Sequence, residues 1–223
     1  MKYEALEHTE AAMNDLYKKA AEFLKETLNN CEQIDSKEKK YRYEHSMRIA
    51  NIANYIAEQE EQDVTVTTVA AILHDVGKFD TDINADHGRV SADVAMAFLA
   101  KSGLTDKQIS DIHYSIATHV DGNAGYDYDS IPEAETVSDA DNIDRFGVYR
   151  IYQILQYDKA ETVPALDLAH MYQEKNIKRK DFKEKYRLST VTANRLFQRN
   201  LQIQADFFDN LVNELNSTDF LQQ

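Results

Sequence analysis

The chain of 223 residues has one cysteine, two prolines, six glycines and no tryptophan. A single cysteine, Cys31, excludes a disulfide framework and a four-cysteine zinc site. So little proline and glycine leaves few turn positions for a sheet, and with 29% charged residues the mix favours helices. No apolar run approaches the ~20 residues that a membrane span needs. Net positive charge is also missing: 25 Lys and Arg stand against 39 Asp and Glu, which gives −14. Without a basic face, neither nucleic acid nor an anionic membrane is expected as a partner. The opening stretch Met1–Glu7 is acidic and amphipathic, unlike a signal peptide, so a cytoplasmic protein is expected. The 43% hydrophobic content suffices for a core. There is no internal repeat, low-complexity tract or clear boundary, and a single all-α domain over 1–223 is expected.

What is present is concentrated at Ala71-Ile72-Leu73-His74-Asp75-Val76-Gly77-Lys78. An apolar run from Val69 to Leu73 ends in two strong metal ligands. An imidazole and a carboxylate at the buried end of a helix are costly unless compensated, and a divalent cation compensates both. Gly77 permits a sharp exit from the helix, and Lys78 is a cation aimed at Asp75 or at a substrate.

Further ligand candidates lie on other predicted helices. The first helix spans about residues 3–30, with His8 as a surface residue. A second, about residues 39–60, carries the stripe Ile49, Ile52, Ala53, Ile56, which His45 extends inward. Arg48, one turn on, can pair a carboxylate or reach a phosphate. The third starts at Asp63, a capping residue. His87 opens a helix running to about Ala100, closed by Gly103. Thr105 caps a fifth, whose His113 and His119 flank the stripe about 120° apart at ~100° per residue. They therefore do not serve one metal together, and His119, at the helix end beside a turn-rich loop, is the chosen candidate. The sixth helix, from Pro132, carries Asp141 on a buried stripe, with Asp139 and Asp144 as rivals and Arg145 as a salt-bridge or substrate group. After about Gln156 the composition turns polar from Lys159 to Asp181, and a long amphipathic helix, about 189–215, follows. His170 is unrelated to the site.

The collected set is His45, His74, Asp75, His87, His119 and Asp141, drawn from five segments. Six ligands suffice for two ions if Asp75 bridges them, and two ions ~3.5–4 Å apart suit phosphoryl chemistry. Mixed His and carboxylate ligation fits Mn, Fe, Co, Ni or Zn, and Mg with open water positions. One metal or two stays open. The long-range repulsion of a phosphate by the net charge is screened over ~8 Å, so Lys78, Arg48, Arg145 and the metals decide binding.

His45, then His74-Asp75, then Asp141 within Asp139-Ala140-Asp141-Asn142-Ile143-Asp144 resembles the H…HD…D signature of the HD superfamily of metal-dependent phosphohydrolases. The resemblance covers about residues 41–157. It extends more weakly into the C-terminal helix, where Thr192-Ala193 and Arg199 resemble the small stand-alone bacterial members. It implies an all-α bundle with an N-terminal helix and a C-terminal extension over about 158–223. It also implies a first metal on His45, His74, Asp75 and Asp141, which selects Asp141 over its rivals. His87 and His119 are similar to the extra histidines of two-metal branches, among them the diadenosine tetraphosphate hydrolases and the HD-GYP phosphodiesterases. The chain lacks the Gly-Tyr-Pro motif and an adjacent His-His pair, which disfavours cyclic-dinucleotide cleavage.

The function so implied is hydrolysis of a phosphate ester or anhydride of a nucleotide or related metabolite by metal-activated water, with Asp75 and Lys78 as the catalytic pair. An alternative is a non-catalytic metal- or nucleotide-binding regulator, for which an acidic surface and a long C-terminal helix suit a homodimer. A third is a di-iron oxygenase. Carboxylate-rich ferritin-like and His-Glu-x-x-His protease schemes are disfavoured because their motifs are missing.

Overall fold

In a computed structural model, residues 2–217 are described, with side chains from residue 13 onward, so the His8 side chain lies outside the described residues. Among the described residues there are nine α-helices and no strand, an all-α fold. They are α1 (Lys2–Asn30), α2 (Ser36–Gln59), α3 (Val64–Leu73), α4 (His87–Leu99), α5 (Asp106–Thr118), α6 (Pro132–Arg145), α7 (Tyr149–Tyr157), α8 (Ala165–Lys185) and α9 (Val191–Asn216). None is long and apolar enough to cross a membrane.

The chain divides into two compact units, one up to Asp141 and one from Asn142 on. The division falls inside α6, ahead of the limit near residue 157 expected from the resemblance.

In the first unit the helix starts follow their capping residues. Asp63 accepts from the backbone N–H of Thr65 (2.9 Å) and Val66 (3.0 Å) at the head of α3. Thr105 and Gln108 form a reciprocal capping box on α5. Leu24, Ile49, Ile56, Leu73, Leu99, Ile112 and Ile116 are fully buried and give the core contributions from α1 to α5. Every residue of α3 from Val66 to Leu73 is buried, so this short helix is packed all round. Its last turn hands the chain straight to His74 at the centre of the unit.

Two glycines allow α4 to approach closely, and neither acts through a left-handed backbone. A Cβ on Gly77 would stand 3.0 Å from the backbone of Ser91, whose hydroxyl accepts the Gly77 N–H at 3.0 Å. Gly77 therefore brings α4 against the turn after α3, a different role from the sharp exit expected of it. A Cβ on Gly88 would meet the Ala117 carbonyl oxygen at 2.6 Å and that of Ile116 at 3.1 Å.

The second unit is built on α7, α8 and α9. Tyr172, Phe208, Ile151, Leu168 and Ala169 form its core. The sequence reading placed only polar chain over most of α8, and the structure corrects that. Only Leu168, Ala169, Tyr172 and Asn176 are buried there, a stripe too narrow to dominate so charged a segment. Polar groups complete the packing. The buried Asn176 amide donates to the Ala205 carbonyl (2.9 Å) and to Asp209 (2.8 Å). The buried Gln204 amide donates to the carbonyls of Phe146 (2.7 Å) and Gly147 (2.9 Å) and accepts from Arg179 (3.1 Å). Arg145 is exposed in this second unit.

Replacing Gly88 by Ala forces α4 away from backbone that cannot yield. Overpacking of this kind costs about 1–3 kcal/mol. Urea unfolding of Gly88→Ala is expected to show a lowered midpoint with an unchanged slope, and an unaltered midpoint would show that α4 shifts freely on α5.

Candidate metal centre

Six side chains from five segments of the first unit meet around Asp75. His74 follows the last residue of α3 and is fully buried. Its Nδ1 lies 2.8 Å from the Ala71 carbonyl oxygen. A carbonyl only accepts, so Nδ1 carries the proton and Nε2 presents its lone pair. His119 repeats this at the end of α5, with Nδ1 2.7 Å from the Ile116 carbonyl oxygen. His87 repeats it at the start of α4, with Nδ1 2.5 Å from the Asn84 carbonyl oxygen. In each case the acceptor is three residues earlier, so the local turn sets both ring orientation and tautomer.

All three Nε2 atoms face one carboxylate. His87 Nε2 is 3.2 Å and His119 Nε2 3.6 Å from Asp75 Oδ1, and His74 Nε2 is 3.6 Å from Oδ2. On the far side of His74, His45 Nε2 stands 3.3 Å from Asp141 Oδ1. The rings of His45 and His74 are 5.4 Å apart and those of His74 and His119 5.0 Å, so the histidines form a continuous row.

This arrangement concentrates acceptors. Neutral imidazole lone pairs and carboxylate oxygens at such distances repel unless a proton or a cation lies between them. His74 Nε2 is the sharpest case: it is buried and has no hydrogen-bond partner. Two donor sets offer atoms within 4.8 Å of one another, His45/His74/Asp141 and His74/Asp75/His119. Opposite ligands of one ion with bonds of about 2.1 Å stand roughly 4.2 Å apart, so both sets close on a cation with small shifts. His87 falls outside both sets, and its Nε2 accepts from the Lys78 ammonium at 3.3 Å. Asp139 is more deeply buried than Asp141 but belongs to neither set, and the same holds for Asp144.

Burial pushes the His74 ring down to a pKa of about 4, against the pull of Asp75 and Asp141 and with the help of His119 and His45. Burial pushes Asp75 up, but the His74 ring, the contacts with His119 and His87, and Lys78 outweigh it. The carboxyl is held well below the usual carboxylate range. Asp141 is likewise raised by burial and lowered further by its bond to His45 and the charges of His74 and His45, to about 2. Both carboxylates are ionised at neutral pH.

Two cations stand at the edge. Lys78 Nζ is 3.0 Å from both Asp75 oxygens. Arg42 Nη1 is 3.4 Å from Asp75 Oδ2, while its Nε bonds Glu38 at 2.7 Å and its guanidinium lies near the rings of Tyr41 and Phe79. The sequence reading missed Arg42 and named Arg48. Both are three residues from His45, one turn to either side, and spacing alone does not choose between them. Arg48 is half-buried on α2, and His113 lies apart from the row, bonded to Tyr126 at 2.8 Å and facing Asp93 at 3.4 Å.

Residues 42–145 match the HD domain family, a stretch that opens at Arg42, contains all six candidate ligands and ends with α6. This stretch belongs to the HD superfamily. The HD fold is also found among solved structures. A predicted HD-superfamily hydrolase from an uncultured Thermotogales bacterium superposes with a TM-score of 0.63 at 17% identity, over 88% of this chain and 91% of that one. YpgQ of Bacillus subtilis, solved in complex with ADP, gives 0.60 at 17% identity, over 91% and 96% of the two chains. An HD-superfamily hydrolase from Bacillus thuringiensis gives 0.62 at 19%, over 95% and 100%. At these identities the likeness is one of fold. No curated protein sequence matches the chain.

The buried HD histidine makes stability depend on pH. Its pKa falls from 6.5 in the unfolded chain to about 4 in the folded one. Between those values the unfolded chain takes up a proton that the native ring refuses, so stability is lost as pH falls from 6.5 towards 4. At 1.36 kcal/mol per unit the full loss is roughly 3 kcal/mol. Urea unfolding of chelator-treated protein is expected to show this slope and His74→Gln to flatten it. Parallel slopes in the two proteins would assign the pH dependence elsewhere.

Proposed function

We propose that the protein is a metal-dependent phosphohydrolase acting on a nucleotide or a related phosphorylated metabolite. The observation that carries this reading is the buried His74 Nε2 lone pair, without a partner and facing Asp75. His45, His74 and Asp141, with Asp75 and His119 beside them, are the residues that would hold the cation, and His87 extends the set towards Lys78. A divalent cation bound there supplies Lewis-acid polarisation of a phosphate oxygen and acidifies a water molecule.

The remaining work falls to side chains of the chain itself. Asp75 is buried and ionised and faces His74, His87, His119, Lys78 and Arg42, so it aligns the three Nε2 atoms and restrains both cationic side chains. Lys78 and Arg42 keep about a fifth of their side-chain surface exposed, 22% and 21%. They are the groups through which an incoming phosphate meets positive charge, and an Arg fork suits two phosphate oxygens at once. This local field opposes the overall charge of −14 within a screening length. The ADP complex of YpgQ supports a nucleotide as the substrate class.

Release of phosphate and pyrophosphate across a nucleotide panel, with Mn²⁺, Co²⁺ and Mg²⁺ supplied in turn, tests the reading. Turnover of ~1 s⁻¹ or more on at least one nucleotide is expected. It should fall to background in Asp75→Ala while the circular dichroism spectrum stays helical. Activity retained in Asp75→Ala sinks the proposal. Bound metal with no turnover on any member of the panel would favour a regulator.

A further inference from the structure

His87 and His119 come from segments more than thirty residues apart, yet their Nε2 atoms reach the same oxygen, Asp75 Oδ1, at 3.2 and 3.6 Å. Their rings lie 5.1 Å apart. Behind both rings, Arg89 ties together the segments that carry them.

Arg89 sits two residues after His87 on α4. Its Nη2 donates to the Ala85 carbonyl at 2.9 Å and to Asp86 Oδ1 at 2.5 Å, both in the turn that leads into His87. Its Nη1 donates to the Asn123 carbonyl at 2.6 Å and lies 3.2 Å from each oxygen of Asp121, in the loop that leaves His119. One planar guanidinium therefore bridges the segment before one histidine and the segment after the other. The turn it grips includes the residue next to Asn84, whose carbonyl orients His87. The loop it grips is ordered by the same carboxylate: Asp121 Oδ1 also accepts the Asn123 N–H at 3.0 Å. A rigid fork with donors on two sides does this, and a single ammonium does not.

We propose that Arg89 is a positioning residue that sets the separation of His87 and His119 across Asp75. It would thereby tune the affinity of that end of the centre for a divalent cation without touching the cation. The inference rests on the metal reading of the site. Loss of an outer partner of a ligating histidine typically weakens metal binding by about ten- to a hundredfold.

Calorimetric titration of Mn²⁺ into chelator-treated full-length protein provides the test. Arg89→Gln is expected to weaken Mn²⁺ binding by about that factor, and Arg89→Lys to give no rescue although it keeps the charge. The ¹⁵N imidazole resonances recorded without metal are a second readout. Arg89→Gln should displace those of His87 and His119 and leave those of His45 in place, which general loosening of the fold would not do. Mn²⁺ affinity within twofold of wild type, full rescue by Lys, or resonances that shift for all the histidines alike would each overturn the proposal. Wild-type protein that takes up no Mn²⁺ overturns the metal reading itself and this one with it. That result is distinct from wild type that binds while Arg89→Gln is unchanged.

Discussion

The centre depends on one unfavourable juxtaposition, a histidine lone pair and a carboxylate buried together at the end of a helix that is itself packed on all sides. His74 cannot turn away, because its other nitrogen is committed to the Ala71 carbonyl. Asp75 cannot retreat to water, because it is almost wholly buried. The first unit is arranged around this pair. Gly77 and Gly88 let α4 come close, α5 ends where His119 can face the carboxylate, and α6 delivers Asp141 to His45 on the other side. Buried ionisable groups are tolerated when they are paired or when they ligate, and here the pairing among protein groups is incomplete at Nε2 of His74.

Much of this was legible in the sequence, for a physical reason. A His-Asp pair at the end of an apolar run contradicts its surroundings, and such contradictions mark sites. The capping residues Asp63 and Thr105 and the breaker Gly103 likewise act through local chemistry, so their positions could be read directly. The choice of Asp141 over Asp139 and Asp144 could not be made from periodicity, because all three lie within one and a half turns. It came from the resemblance, and the structure puts Asp141 opposite His45. Arg42 was missed because its partner, Asp75, is 33 residues away and no local rule connects them. The role of Gly77 was misread because close approach between helices is a tertiary fact.

Helix α8 was missed on different grounds. Its buried stripe is narrow, and part of it is polar: Asn176 occupies a position that a pattern search reserves for an apolar residue. Hydrophobic periodicity detects helices that pack by apolar area and is insensitive to those that pack through amide hydrogen bonds.

That polar packing has a consequence for how the second unit assembles. Apolar helix faces can slide by a turn, 5.4 Å, and still bury comparable area. The α8–α9 seam cannot. A one-turn slip would take Asn176 away from Ala205 and Asp209, and Arg179 away from Gln204, leaving buried amides unmatched. Each such orphan costs about 1–3 kcal/mol. The amides therefore act as a vernier: they contribute little to cohesion beyond what apolar groups would, but they admit one alignment of the two helices and reject its neighbours.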